Sequence, residues 1–211
     1  MQDSRNGRVS HGHFASLYGP AASESLSDRG ARYTSGMRMS MWLLVLSVSS
    51  IGVLAESAGG VRWTAPAGWR NEGAQPMRAA TYRIAPAPGD MAGAECGVYF
   101  FGVGQGGSVD ANIERWKGQF QGPDGKPAPA KMATRKAGAL TLTTIETTGA
   151  YSGMGRPTAP SHSGVPGYRL LGAIIEGPGG NVFVKFTGPA KTIAANQQKF
   201  EQLLASFQLD K

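Results

Sequence analysis

The run Glu95 to Val103, ECGVYFFGV, is apolar at successive positions and not only at alternate ones, so as a strand it must be covered on both faces. The chain leaves it through Gly102, Gly104, Gly106 and Gly107 and enters SVDANIERWKGQF, where Val109, Ile113, Trp116 and Phe120 recur at intervals of 4, 3 and 4. That spacing predicts a helix over about Val109 to Phe120 with one apolar stripe. Ser108 stands where an N-cap belongs, and Asp110 complements the positive end of the helix dipole. A doubly covered strand that turns sharply into an amphipathic helix demands a sheet with helices packed on it.

The remaining segments fit that frame. Val61 to Trp69, Met77 to Ile84, and Ala139 to Thr148 read as strands from their β-branched and aromatic content. YRLLGAIIE and NVFVKFT flank GPGG, the signature of a hairpin. A last helix over about Lys191 to Phe207 aligns Ile193, Phe200, Leu203, Leu204 and Phe207. Strands, helix, strands and helix in that order predict an α+β fold, a mostly antiparallel sheet packed by two main helices. Residues 149–167, rich in Gly, Pro and Ser, read as a mobile surface loop.

Ahead of this lies a different kind of sequence. Met37 to Met41 carry one arginine and precede Trp42 to Ala55, an apolar run of 14 residues that ends with Val53 and Ala55 three and one positions before a cut. This is the pattern of a secretory signal peptide over residues 37–55, too short to span a bilayer, which takes about 20 residues. Residues 1–36 show no apolar period. The expectation is that translation starts at Met37, Met39 or Met41 and that 1–36 are a non-native extension or disordered; His11 and His13 then belong to no metal site. The mature part, 56–211, is expected to be a single domain, exported to the periplasm or beyond, with no stable membrane span after cleavage.

The mature part holds 16 Lys plus Arg and 11 Asp plus Glu, a net charge of +5. Its cations are scattered rather than clustered, which argues against nucleic acid as a partner. Cys96 is the single cysteine, so no internal disulfide forms, and its place in an apolar run predicts a buried side chain.

Gly102, Gly104 and Gly107 satisfy G-x-G-x-x-G, but a dinucleotide site needs a parallel strand and an acid about 20 residues on. Here a Pro-rich linker follows instead, and Asp124 falls inside it. The glycines more simply permit positive φ in a tight corner. A weaker reading keeps Gly106, Gly107 and Ser108 as backbone donors to a small anion. On the helix, Asn112, Arg115 and Gln119 form a second stripe whose directed hydrogen bonds suit a carboxylate or peptide backbone. His162, the only histidine of the mature part, sits between serines in the 149–167 segment and has no base or acid arranged around it. No catalytic set, metal set or cofactor is therefore expected. Glu95, Glu146 and Glu176 would make a carboxylate pair if the fold brought two of them together.

WTAPAGW, GQGGSVDANIERWKGQF, and GYRLLGAIIEGPGGNVFVKFTGPAKTIAANQQKFEQLLASF together resemble exported bacterial proteins similar to the PsbP-like α/β/α sandwich, over roughly Gly60 to Phe207. The resemblance implies an antiparallel sheet between helices, used for docking to partners rather than for catalysis. The residues that serve photosystem binding in plants have no match here. These readings converge on a non-enzymatic binding or assembly module for an envelope protein or a small anionic ligand, at Gly106, Gly107, Ser108, Asn112, Arg115 and Gln119. Its alternatives are a carboxylate-based hydrolase or other envelope enzyme, and electrostatic adhesion to anionic envelope polymers.

Overall fold

The doubly apolar strand lies in mid-sheet. A computed structural model describes residues 55–153 and 164–211, all within one compact unit, Ser49–Lys211. Residues 1–36, the signal segment up to its last residue, and His162 lie outside the described residues. The chain runs β1 (Ala55–Ala58), β2 (Val61–Thr64), β3 (Arg70–Asn71), β4 (Arg78–Ile84), β5 (Ala94–Phe100), α1 (Val109–Lys117), β6 (Phe120–Gln121), β7 (Ala130–Ala137), β8 (Leu140–Tyr151), β9 (Val165–Gly177), β10 (Gly180–Pro189), α2 (Ala190–Ala195), α3 (Gln197–Ser206) and β11 (Gln208–Leu209).

Eight strands form one sheet, in the order β3-β4-β5-β10-β9-β8-β6 with β7 also on β8, and β1-β2-β11 form a small second sheet. Every pairing is antiparallel among the described residues. That removes the parallel crossover a dinucleotide site requires.

Strand alternation sends β10 side chains to two cores. Val182, Val184 and Phe186 join Cys96, Trp63, Ile193, Phe200 and Leu203 on the face covered by α2, α3 and the small sheet. Phe183 joins Ile113, Trp116, Phe120, Ile145 and Ile174 on the α1 face. Cys96 is fully buried, and burial pushes its thiol well up.

The structure corrects several boundaries. The C-terminal helix is two helices rather than one, because Asn196 leaves helical geometry at φ −113° and its side chain is engaged elsewhere. Its Nδ2 donates to the Thr192 carbonyl at 3.0 Å and its Oδ1 accepts from Trp69 Nε1 at 3.2 Å. The first helix stops at Lys117 with Gly118 as C-cap, and Phe120 is buried from β6, opposite Tyr151, instead of from the helix. Both ends of the segment 149–167 are strand, since β8 runs to Tyr151 and β9 begins at Val165, and residues 154–163 between them lie outside the described residues. The strand read over Val61 to Trp69 ends at Thr64.

Candidate functional site

The corner before α1 is built from backbone freedom and one buried amide. Gly102, Gly104, Gly106 and Gly107 all have positive φ, between 68° and 103°, a region that favours glycine. Gly106 is constrained a second way: a Cβ there would stand 2.8 Å from both Phe101 Cδ2 and Phe183 Cε2. Ser108 caps the helix by accepting from the Ala111 amide at 3.2 Å. Asn112 is 1% exposed, and its Nδ2 donates to the carbonyls of Gly106 and Ser108, each at 2.8 Å. Its Oδ1 accepts from Arg115.

Beside this corner α1 leaves part of the sheet uncovered. The result is a cavity of about 230 Å³. The helix side supplies Asn112, Arg115, Trp116 and Gln119, and the sheet side supplies Tyr99, Phe101, Phe183 and Lys185. Trp116 reaches the sheet because Gly172 has no side chain: a Cβ there would lie 2.7 Å from Trp116 Cζ3. Tyr99 lies over Gly97 for the same reason, with its ring 2.7 Å from where a Cβ would be.

Lys185 is the unusual member. It sits mid-strand in an apolar stretch, and its Nζ donates to Gln119 Oε1 at 2.5 Å and to the Tyr151 hydroxyl at 3.1 Å. The same nitrogen stands 5.1 Å from the Tyr151 ring centre. Burial pushes its ammonium down to about 8; the carboxylate of Glu95 opposes that shift, and the charges of Arg115 and Arg78 add to it. Burial also raises the Tyr151 and Tyr99 phenols, so both hold their protons.

A second cavity, about 460 Å³, lies on the same sheet face, lined in part by Arg83, Glu95, Thr187, Tyr151 and Tyr168. Glu95 receives Arg78 at 2.8 Å and Arg83 at 2.9 Å, and Arg78 in turn stacks 5.1 Å above the Tyr99 ring. Residues 95, 97 and 99 of β5 pair with 187, 185 and 183 of β10, so one face carries Glu95, Lys185, Tyr99 and Phe183 in register. The Lys185–Tyr151 contact joins the two cavities: Lys185 lines one and Tyr151 the other.

Of the residues singled out in the sequence, Asn112, Arg115 and Gln119 line the smaller cavity together, whereas Gly106, Gly107 and Ser108 shape the corner and do not line it. The three glutamates do not converge. Glu95 and Glu176 face the α1 side but oppose Thr187 and Asn181, six residues apart on β10, or about 20 Å at strand rise. Glu146 opposes Leu171 on the other face and pairs with Arg169 at 2.9 Å. The carboxylate pair needed for a glycosidase-like site is therefore not formed by these residues. Sequence reading missed Lys185, Tyr99, Phe183 and Tyr151. The available signal was Lys185 itself, a lone cation in the otherwise apolar VFVKF.

No protein-family model matches the chain, and no curated protein matches it. Among solved structures, it is similar to cyanobacterial PsbP (CyanoP) from Synechocystis sp. PCC 6803, with a TM-score of 0.46 and 13% identity over 79% of this chain and 99% of that one. It is also similar to a protein of unknown function from Pseudomonas aeruginosa, with a TM-score of 0.42 and 12% identity over 75% of this chain and 96% of that one. Among the described residues no helix is long and apolar enough to cross a membrane.

Proposed function

We propose that the protein is an exported binding module for small carboxylates that carry an aromatic or other apolar body. One observation carries this reading: Arg115 and Lys185 line the same cavity of about 230 Å³ as Tyr99, Phe101, Trp116 and Phe183. Aromatic walls reward an apolar body, and a guanidinium at the rim beside a part-buried ammonium rewards an anion. The volume is below the ~300–1,000 Å³ of drug-sized sites, which favours a ligand of few atoms. Export rests on the signal pattern of residues 37–55.

Calorimetric titration of the full chain with phenylacetate tests the reading. Binding is expected, with Arg115→Ala weakening it about tenfold, equivalent to ~1.4 kcal/mol. No heat at millimolar phenylacetate, or an unchanged affinity in Arg115→Ala, would reject it.

A further inference from the structure

We propose that Lys185 is a covalent capture site for 2-oxo acids, its Nζ forming a Schiff base with the ligand's carbonyl carbon while Arg115 holds the adjacent carboxylate. The inference rests on the carboxylate reading of the cavity and adds the chemical class of the ligand.

The geometry meets the needs of amine catalysis in turn. The stem of Lys185 is fixed in β10 between Val184 and Phe186, which are buried on the opposite face. The amine is held from two sides, by Gln119 and by the Tyr151 hydroxyl, and belongs to the lining of the cavity rather than to open surface. Among the described residues, the titratable and charged groups around it come from four elements: Arg115 on α1, Glu95 and Tyr99 on β5, Arg78 on β4 and Tyr151 on β8. Their sum, led by burial, leaves a substantial neutral fraction near pH 8, the form that attacks a carbonyl. An unperturbed lysine near 10.4 is almost wholly charged there.

The step balances without a redox partner. The nitrogen lone pair forms a C–N bond as the carbonyl π pair moves to oxygen. The nitrogen's proton passes to the Tyr151 oxygen while the Tyr151 hydroxyl proton goes to the new alkoxide, giving a carbinolamine. Loss of that hydroxyl with one further proton releases water and leaves the imine. Tyr99, Trp116 and Phe183 supply the apolar wall against which the ligand's body packs. Arg115 selects an oxo acid over a plain aldehyde because a planar guanidinium meets a carboxylate through two parallel hydrogen bonds.

The experiment incubates the full chain with phenylpyruvate and sodium cyanoborohydride at pH 8 and maps adducts by peptide mass. An adduct equal to phenylpyruvic acid less one oxygen is expected at Lys185, forming at least about tenfold faster than at Lys126, whose side chain is 80% exposed. Lys185→Met removes that adduct. Arg115→Ala slows labelling by phenylpyruvate about tenfold more than labelling by neutral phenylacetaldehyde, which slows only as far as the lost charge lets the Lys185 ammonium recover. Adducts spread over surface lysines, or an equal effect of Arg115→Ala on both probes, overturn the inference. If phenylacetate binds and Lys185 is not labelled, the covalent step fails and the binding reading stands; if neither occurs, both fall.

Discussion

Lys185 Nζ donates to Gln119 Oε1 at 2.5 Å, joining the middle of β10 to the turn that follows α1 across 66 residues of sequence. Folding therefore places an amine where burial disfavours its charge. The folded chain holds it near 8, against an ordinary value of about 10.4 in the unfolded chain. Between those values the unfolded state binds more protons, so this group makes stability rise as pH climbs from about 8 to about 10.4. Below 8 both states are charged and the full desolvation cost remains. Lys185→Met is thus expected to be more stable than the parent at pH 7, on the order of 1–3 kcal/mol after the lost hydrogen bonds are allowed for. That advantage shrinks toward pH 10. Urea unfolding of both proteins across this range measures the difference, and parallel curves would refute the placement of the amine.

Carboxylate binding should follow the same titration in the opposite sense. The ammonium that attracts the anion is lost as pH passes through about 8, so phenylacetate affinity is expected to fall between pH 7 and 9. Calorimetry at constant ionic strength reads this directly, since salt screening would otherwise mimic the trend. A flat profile would mean that Lys185 does not contact the anion.

Asn112 and Arg115 are three residues apart and do different work. Asn112→Ala removes three hydrogen bonds made by a side chain that is 1% exposed, two donated and one accepted from Arg115, and it takes the Nδ2 donor from the Gly106 carbonyl, while the Ser108 carbonyl keeps the Asn112 backbone amide. A loss of about 2–4 kcal/mol is expected. Arg115→Ala removes an exposed guanidinium and the donor to Asn112 Oδ1, and should cost about 1 kcal/mol. Denaturant midpoints at unchanged m-value separate the two; similar losses would contradict the assignment of Asn112 to the corner and Arg115 to the ligand.

Gly172→Ala tests how α1 meets the sheet. The added methyl would stand 2.7 Å from Trp116 Cζ3 and 2.8 Å from Ile145 Cγ2, both in packed surroundings. Overpacking of this kind costs typically about 1–3 kcal/mol and forces a ring to move. The expected signs are a lower unfolding midpoint and an altered near-ultraviolet dichroism band from Trp116. A neutral substitution would mean that the Trp116 ring yields without cost.

How much of this was legible in the sequence depends on how local each cause is. Part of the cavity's helix side could be read because a helix's second stripe follows from its own 3.6-residue period, which put Asn112 and Arg115 together; Gln119, expected on the same stripe, lies past the Gly118 cap and reaches the cavity from outside the helix. The sheet side depends on the register of β5 with β10, set across more than 80 residues, and no short-range pattern carries it. Strand β7 was lost in a polar linker because six of its eight residues, Lys131 to Lys136, are exposed and show no apolar alternation. Phe120 continued the helical stripe on paper, yet Gly118 ended the helix first and the ring reached the same core from a strand.

The break at Asn196 is the clearest case of tertiary contact overriding propensity, and it can be measured. Ala at this position would favour one continuous helix by a few tenths of a kcal/mol. The same change removes the acceptor of Trp69 Nε1 and the bond to the Thr192 carbonyl, and Trp69 is packed against Phe186 at 5.0 Å with its indole nitrogen turned to Asn196. The loss should therefore exceed the gain, leaving Asn196→Ala less stable by about 1 kcal/mol. A double-mutant cycle with Trp69→Phe isolates the pair, and a coupling of about 1 kcal/mol is expected from the hydrogen bond. Coupling near zero, or a net stabilisation by Ala, would show that the helix breaks for a reason other than this contact.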